Sequence, residues 1–495
     1  VEIPETVTTI NNAGLDCTII GVKGSAAETY ALDNNLPFID KSAEKEEGVL
    51  VLPDSGTSIW DEGTIEEVVP EGNSYIVSNA AQLAWIGEQT SAGNDFSGKS
   101  IILTADIDLD SQEWTPIGDN NNPFRGSFDG RNHTISNLKV TSSEYAGLFG
   151  AISAKTATQT VKISNLKIKN VQINGADYAG ALAAYTRIYK GAEIQIDNCT
   201  VNGEINGIDE IGGLLGFVYG GEHNSKVEIK NIHSTVNISV NRSGSAGGII
   251  GRIRCEDPDN KYNGTIYVLD CNYSGSVSGT NGGWIGGVAG RVKIDNQGEV
   301  VIQHCKTEGK ISFSTTGSAG GITGYLSGAK GKIISCVNYA SVTGKNYYSG
   351  GIAGQCYYGV IEQCCNEGAI QSNISGAVAG GIAGEINTGE IRNSYNTGSI
   401  LGNFYFGYYP GGITGYNRGK LVNCYNIGLL PEQTLSCMPG GMGSVEIGPT
   451  EYCYYNFASF ELAHLYGNSS KEKDNPLVYS DASNGIVNSG GCSPA

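Results

Sequence analysis

A four-residue pattern, Gly-apolar-x-Gly, returns along this chain at near-regular intervals. Clear copies begin at Gly147 ("GLFG"), Gly213 ("GLLG"), Gly248 ("GIIG"), Gly287 ("GVAG"), Gly321 ("GITG"), Gly351 ("GIAG"), Gly381 ("GIAG") and Gly412 ("GITG"). Gly180 ("GALA") reads as a degenerate second copy and Gly441 ("GMGS") as a broken last one. A period of about 30–39 residues belongs to repeat architectures, in which one unit cannot bury its apolar face without its neighbours. The units are rich in Gly, Ile, Val, Thr, Asn and Tyr, and no window within the array shows a clean helical period. Each reads as three short strands, such as "GGIAGQC", "GVIEQCCN" and "GAIQSN", separated by turn residues.

One position in the unit departs from simple alternation. In "IQIDNCTV", "VIEQCCNE" and "KLVNCYNI" an inward apolar residue is followed three places on by another small or apolar one. Strict alternation demands a spacing of two, so a bend must restore the inward direction. The bend falls at Asn165, Asn198, Asn231, Asp270, His304, Ser335, Gln363, Asn393 and Asn423, and Asn and Asp tolerate left-handed backbone angles. The inward ladder is then Leu166, Cys199, Ile232, Cys271, Cys305, Cys336, Cys364, Ser394 and Cys424. Six of the 13 cysteines are thus expected as core rungs rather than bridges. Cys17, Cys255, Cys356, Cys365, Cys437, Cys453 and Cys492 remain as disulfide candidates, with Cys437–Cys453 the pair to test.

Composition narrows the class. Gly is 72 of 495 residues but has no three-residue period, which excludes collagen, and 39% hydrophobic content argues against disorder. No apolar run approaches the roughly 18 residues of a membrane helix. The chain opens on "VEIPETV", without a Met or a signal-like stretch, and reads as a processed or trimmed start. The formal charge is −19, of which −12 falls in residues 1–71. A surface this acidic repels phosphate backbones, so nucleic acid is not expected as a partner.

A helix is expected over residues 79–90, with Asn79 as N-cap and Leu83 and Ile86 inward, where it can plug the first coil. In "SIILTADIDL" the residues Leu103, Ala105, Ile107 and Leu109 alternate with Asp106, Asp108 and Asp110. The segment "ADIDLDSQEWTPIG…FRGSFDGRNHTISNLKV…AGLFG", followed by the "GGIAG…NCYN.G" units, resembles bacterial surface proteins with GLUG repeats over about residues 75–460. That resemblance implies a secreted or surface-anchored, adhesin-like protein, and brings no catalytic residues with it. The expected organisation is an acidic extension or small β domain over 1–74, a lead-in with its capping helix over 75–145, repeats over 146–445, and a C-terminal cap and tail over 446–495.

Signals for chemistry are few. Asp106, Asp108 and Asp110, with Glu113, are candidate Ca²⁺ ligands, although an EF-hand glycine is missing. The histidines show no zinc-peptidase spacing, and no nucleophile elbow or phosphate loop is present. A carbohydrate-active enzyme, lyase or hydrolase, is the alternative. Its basic candidates (Arg187, Arg252, Arg254, Arg291, Lys306, Arg392, Arg418) read as coming from differing places in the repeat, and its carboxylates are Glu362, Glu385 and Glu390. Tyrosines are the stronger signal. Tyr347, Tyr348, Tyr357, Tyr358, Tyr405, Tyr408 and Tyr409 crowd the C-terminal half, and Tyr145 and Tyr178 precede the glycine motif earlier. Equivalent positions of successive coils stack, so these rings can form a stripe suited to a glycan or protein ligand.

The sequence therefore predicts an all-β, right-handed parallel β-helix of about ten coils, ~4.8 Å apart. The expected role is adhesion or ligand binding at a secreted or cell-surface location, without enzymatic activity or a membrane span. The expected partner is a glycan or a surface protein of a host or neighbouring cell. A structural appendage subunit, assembling through the N-terminal region, is a further reading.

Overall fold

The computed structural model describes residues 19–21, 25–33, 38–40, 58–59, 63–141, 144–220, 224–255, 264–295, 297–345, 347–402, 409–431, 443–446 and 448–455. Two compact units are present, residues 1–54 and 55–495. In the first, Ile19–Gly21 pairs in parallel with Phe38–Asp40, and the helix Ala26–Asp33 between them buries Ala27 and Tyr30.

The second unit is a parallel β-solenoid of about nine turns, against about ten expected; the copy at Gly441 lies outside the described residues. Its sheet takes in Ser58–Ile59, which pairs with Ile107–Asp108, so the solenoid reaches back into the stretch expected to be extension. The helix Ala80–Ser91 stands at its start. The Asn79 side chain accepts the Gln82 N–H at 2.9 Å, and Leu83 and Ile86 are fully buried in the common core. Of the C-terminal cap and tail expected over 446–495, the residues after 455 lie outside the described residues.

Each coil stacks in register on the next. One inward column runs Ile163, Ile196, Ile229, Val268, Ile302, Ile333, Ile361, Ile391, Leu421, all fully buried. The nine expected bend residues follow it, every one with φ between 51° and 55°. The ladder after the bend, Leu166 to Cys424, is buried throughout. Outside, Asn198 Nδ2 donates to Asn165 Oδ1 and Asn423 Nδ2 to Asn393 Oδ1, each at 2.8 Å, so the bends also bond to one another. The pattern continues one coil further, with Tyr452 at φ 53° ahead of Cys453.

The three expected strands become five. In one coil these are Ala353–Tyr357, Val360–Glu362, Cys365–Asn366, Ile370–Ser372 and Val378–Gly380. Gln363 divides what reads as one strand, because a left-handed residue breaks extended pairing. The degenerate copy is also offset: Gly180 pairs with Gly212, so Ala181 rather than Gly180 stands at the first glycine position.

Four cysteines expected as disulfide candidates, Cys255, Cys356, Cys365 and Cys453, are thiols in the structure. Cys356 lies between Leu326 and Ile386 in another inward column, and Cys453 offers its Sγ to Cys424 N at 3.4 Å, as a rung of the ladder itself. Inward direction, set by the coil, decides their role. Burial pushes the Cys199 and Cys356 thiols up to about 12. Cys17, Cys437 and Cys492 lie outside the described residues.

A polar column was not anticipated. Asn338, Asn366, Asn396 and Asn426 are at most 3% exposed and bond head to tail, Nδ2 to Oδ1, at 2.7–2.8 Å. Thr307 Oγ1 donates to the first of them at 2.8 Å. Each amide also donates to the carbonyl two residues on, which closes its own turn. The glycine motif packs on these amides: a Cβ at Gly351 or Gly381 would press into the Asn366 or Asn396 carboxamide and into the glycine carbonyl of the next coil.

Two tests follow from this packing. Asn396→Ala removes the ladder bonds to Asn366 and Asn426, each of which keeps a bond within its own turn, at roughly 0.5–1.5 kcal/mol for each lost bond, and chemical denaturation followed by circular dichroism should show the loss; an unchanged midpoint contradicts the ladder. At the bend, Gln363→Asn is expected to be neutral or stabilising, whereas Gln363→Val should lower stability by roughly 1–2 kcal/mol in the same assay.

Candidate functional site

Two strands flank the Gly-apolar-x-Gly corner, and their outward residues meet across it. The strand before the corner contributes a column Tyr145, Tyr178, Glu210, Ser245, Trp284, Ser318, Tyr348, Val378, Tyr409. The strand after it contributes Tyr185, Phe217, Arg252, Arg291, Tyr325, Gln355, Glu385, Tyr416. Two residues further along, and so on the same outward face, lie Arg187, Tyr219, Arg254, Lys293, Ser327, Tyr357, Asn387, Arg418. From Tyr178 onward the first two columns are seven residues apart in every coil.

The columns touch. Tyr145 stacks on Tyr178 with ring centroids 5.2 Å apart, and Tyr178 on Phe217 at 6.2 Å. Trp284 faces Tyr325 at 5.7 Å, and Tyr409 faces Tyr416 at 5.2 Å. Arg291 lies over the Trp284 ring at 4.1 Å, and Arg252 pairs with the buried Glu210 at 2.8 Å. An aromatic and cationic stripe therefore follows the axis through much of the array.

Of the tyrosines predicted from sequence, Tyr347, Tyr348, Tyr357 and Tyr409 come together at the C-terminal end of this stripe. Tyr347 and Tyr348 meet edge to face at 5.0 Å, and Tyr347 is 42% exposed. Tyr357 packs on Tyr325 at 5.6 Å and donates its hydroxyl to Glu385 at 2.9 Å. Glu385 is only 2% exposed and also receives Gln355 at 3.2 Å and Arg418 at 3.4 Å. Tyr358 turns away at a corner with φ 65°. Tyr405 and Tyr408 lie outside the described residues. Sequence reading missed Tyr185, Phe217, Trp284, Tyr325 and Tyr416. The signal was present in the residues three before and four after the first glycine of each motif.

Two expectations are corrected here. The basic residues do not come from scattered places: Arg252 and Arg291 share one register, and Arg187, Arg254 and Arg418 share the next. Only Lys306, paired with Glu308, and Arg392, held by Glu362 and Glu390, stand elsewhere. The aspartates do not converge on a Ca²⁺ site. Asp106 accepts the Thr134 N–H at 2.8 Å and faces His133, while Asp108 accepts Asp110 N–H and Asn137 Nδ2, so both carboxylates tie one coil to the next. Among the described residues no group of three His, Cys, Asp or Glu side chains could hold a metal ion. Nor is any described helix long and apolar enough to cross a membrane.

A separate open groove of about 490 Å³ lies along a different strand of the coils, lined by Asn137, Asn170, Gln172, Asn174, Glu204 and Asn206. Its amides bond mainly to one another, as in Asn206 Nδ2 to Asn174 Oδ1 at 3.0 Å. No ring faces it.

Burial, with Glu385 nearby, raises the Tyr348 phenol from 10.0 to about 12; burial and the Glu385 hydrogen bond raise Tyr357 further. A raised phenol favours the neutral folded form, so its contribution to stability is intact below pH 10.0 and lost as pH rises through about 12. Alkaline absorbance titration of Tyr348→Phe should lose one phenol that ionises late; loss of an ordinary early one contradicts this environment.

Comparison with known proteins gives distant likenesses. No family model matches the chain. It is 30% identical over 179 residues, 33% of its length, to Halomucin from Haloquadratum walsbyi. It is 26% identical over 194 residues, again 33% of its length, to a protein of Evansella cellulosilytica named as a Gly-rich membrane protein. The chain spans 2% and 21% of those relatives' own lengths. A solved structure from Bacteroides ovatus, assigned as an immunoglobulin A1 protease, is 23% identical with a TM-score of 0.42, covering 57% of this chain and 84% of that one.

Proposed function

We propose that this solenoid is a surface-displayed or secreted binding protein of the GLUG-repeat kind, and that the stripe beside the glycine corner is its contact face for a glycan. One observation carries the reading: aromatic rings recur at fixed registers on the outer face, although packing of the core requires none of them. Tyr347, Tyr348, Tyr357, Tyr409 and Tyr416 offer apolar faces and hydroxyls together, a combination that suits sugar rings with their polar edges. The buried Glu385 and its partners hold Tyr357 in place, so little rotamer freedom is lost on binding. The motifs shared with GLUG proteins and the name of the Evansella relative support a surface location.

A glycan screen of the wild type against Tyr347→Ala/Tyr348→Ala and Tyr409→Ala/Tyr416→Ala tests this. Wild-type binding to at least one glycan is expected, weakened about tenfold or more in either variant, in keeping with roughly 1.4 kcal/mol or more from lost aromatic contacts. Far-UV circular dichroism checks that each variant is folded. No glycan bound by the wild type, or binding untouched in both folded variants, overturns the proposal.

A further inference from the structure

We infer that Arg187 and Ser153 form the seat for a single carboxylate carried on a sugar, near the N-terminal end of the stripe, with Tyr185 and Tyr189 beside it. This rests on the stripe being a glycan surface and names the charged group that this end of it selects.

Arg187 stands in the strand Ala183–Ile188, in register with Ser153 of the coil before and Tyr219 of the coil after. Its guanidinium lies over the Tyr189 ring at 4.7 Å and the Tyr219 ring at 5.5 Å. Rings attract the cation but supply no acceptor in the plane of its N–H groups. Among the described residues no carboxylate pairs with Arg187 and no hydrogen bond reaches its guanidinium, and its Nε is buried. Other arginines of the array are answered within the protein: Arg125 by Asp95 at 2.8 Å, Arg252 by Glu210 at 2.8 Å, Arg392 by Glu362 at 2.7 Å and Arg418 by Glu385 at 3.4 Å.

Ser153 is the independent sign of a ligand. It shares the outward column of Arg187, yet is only 3% exposed, and its Oγ has no hydrogen-bond partner. Buried polar groups are almost always answered, by protein, by water or by a ligand. Here two unanswered donors, a hydroxyl and a guanidinium, stand on successive coils, ~4.8 Å apart. The two oxygens of one carboxylate can accept from both, and a planar guanidinium suits a planar carboxylate.

The surroundings suit a sugar behind that carboxylate. Tyr185 lies two residues before Arg187 on the same face and meets Tyr145 at 6.1 Å and Phe217 at 5.5 Å, edge to face. Apolar walls of this kind limit water and strengthen a charged bond beside them. The Tyr185 and Tyr189 hydroxyls have no hydrogen bond among the described residues, which leaves them for sugar hydroxyls. Glu222, three residues beyond Tyr219, lies outside the described residues, so the experiment asks directly whether it answers Arg187.

The test is isothermal titration calorimetry of the full chain with oligosaccharides ending in glucuronate, galacturonate or N-acetylneuraminate, each beside its methyl ester, and with acetate as a carboxylate without a ring. At least one acid should bind at least tenfold more tightly than its ester and than acetate. Arg187→Gln should abolish that preference, Arg187→Lys, which keeps the charge without the fork, should lose most of it, and Ser153→Ala should reduce it severalfold. Arg131→Gln, at an exposed turn elsewhere, should leave it unchanged; circular dichroism checks that each variant is folded. Equal binding of acid and ester, equal binding of acetate, or full preference in folded Arg187→Gln overturns the inference. So does a preference seen in Glu222→Gln but not in the wild type, which would make the chain's own carboxylate the partner of Arg187. Glycans bound without preference for the acid overturn this inference and leave the glycan reading standing. No binding of any glycan, in this series or in the wider screen, overturns both.

Discussion

Stacking of like on like governs this molecule. Parallel coils in register place each residue over its counterpart about one strand spacing away, so a choice at one position is felt by both neighbours. An isoleucine column excludes water along its length. An asparagine column is tolerable only because each carboxamide finds the next, since a lone buried amide would carry the full cost of desolvation. The left-handed bend belongs to the same logic. It recurs at nearly one φ in nine successive coils because a coil without it would bring its neighbours' inward residues out of line.

The same constraint converts sequence repetition into surface pattern. Outward residues do not pack on the core, so the rule there is weaker, and the columns mix Tyr, Trp, Arg, Glu and Ser. Mixing is what makes the face informative. A column needed only for rigidity could repeat a single residue type. This one changes from tyrosine-rich to cationic and back to tyrosine-rich while holding its register.

The apolar inward columns were largely legible in the chain; the inward polar column and much of the outward face were not. Ile361, Gln363 and Cys364 announce a bend because an alternation of two fails and only a polar, left-handed residue repairs it. The helix at Asn79 was equally open, its cap, polarity and apolar face all local. Asn366 was not: in sequence it is a turn residue, and only the coil above shows that its amide points inward to a partner. Trp284 and Arg291 lie seven residues apart with a glycine corner between them, and they meet because the chain folds back there. Cys356 and Cys453 were misread for the same reason, since their inward direction depends on a coil path that composition does not reveal.

The asparagine ladder has a consequence beyond cohesion. Its first three carboxamides donate in one direction, from Asn338 towards Asn426, which accepts the last of these bonds, with the Thr307 hydroxyl donating in the same sense at the head. Their dipoles add rather than cancel, as peptide dipoles do in a helix. Strands of a sheet contribute little net polarity, yet this solenoid carries an electric axis in its interior, its positive end towards the last described coils.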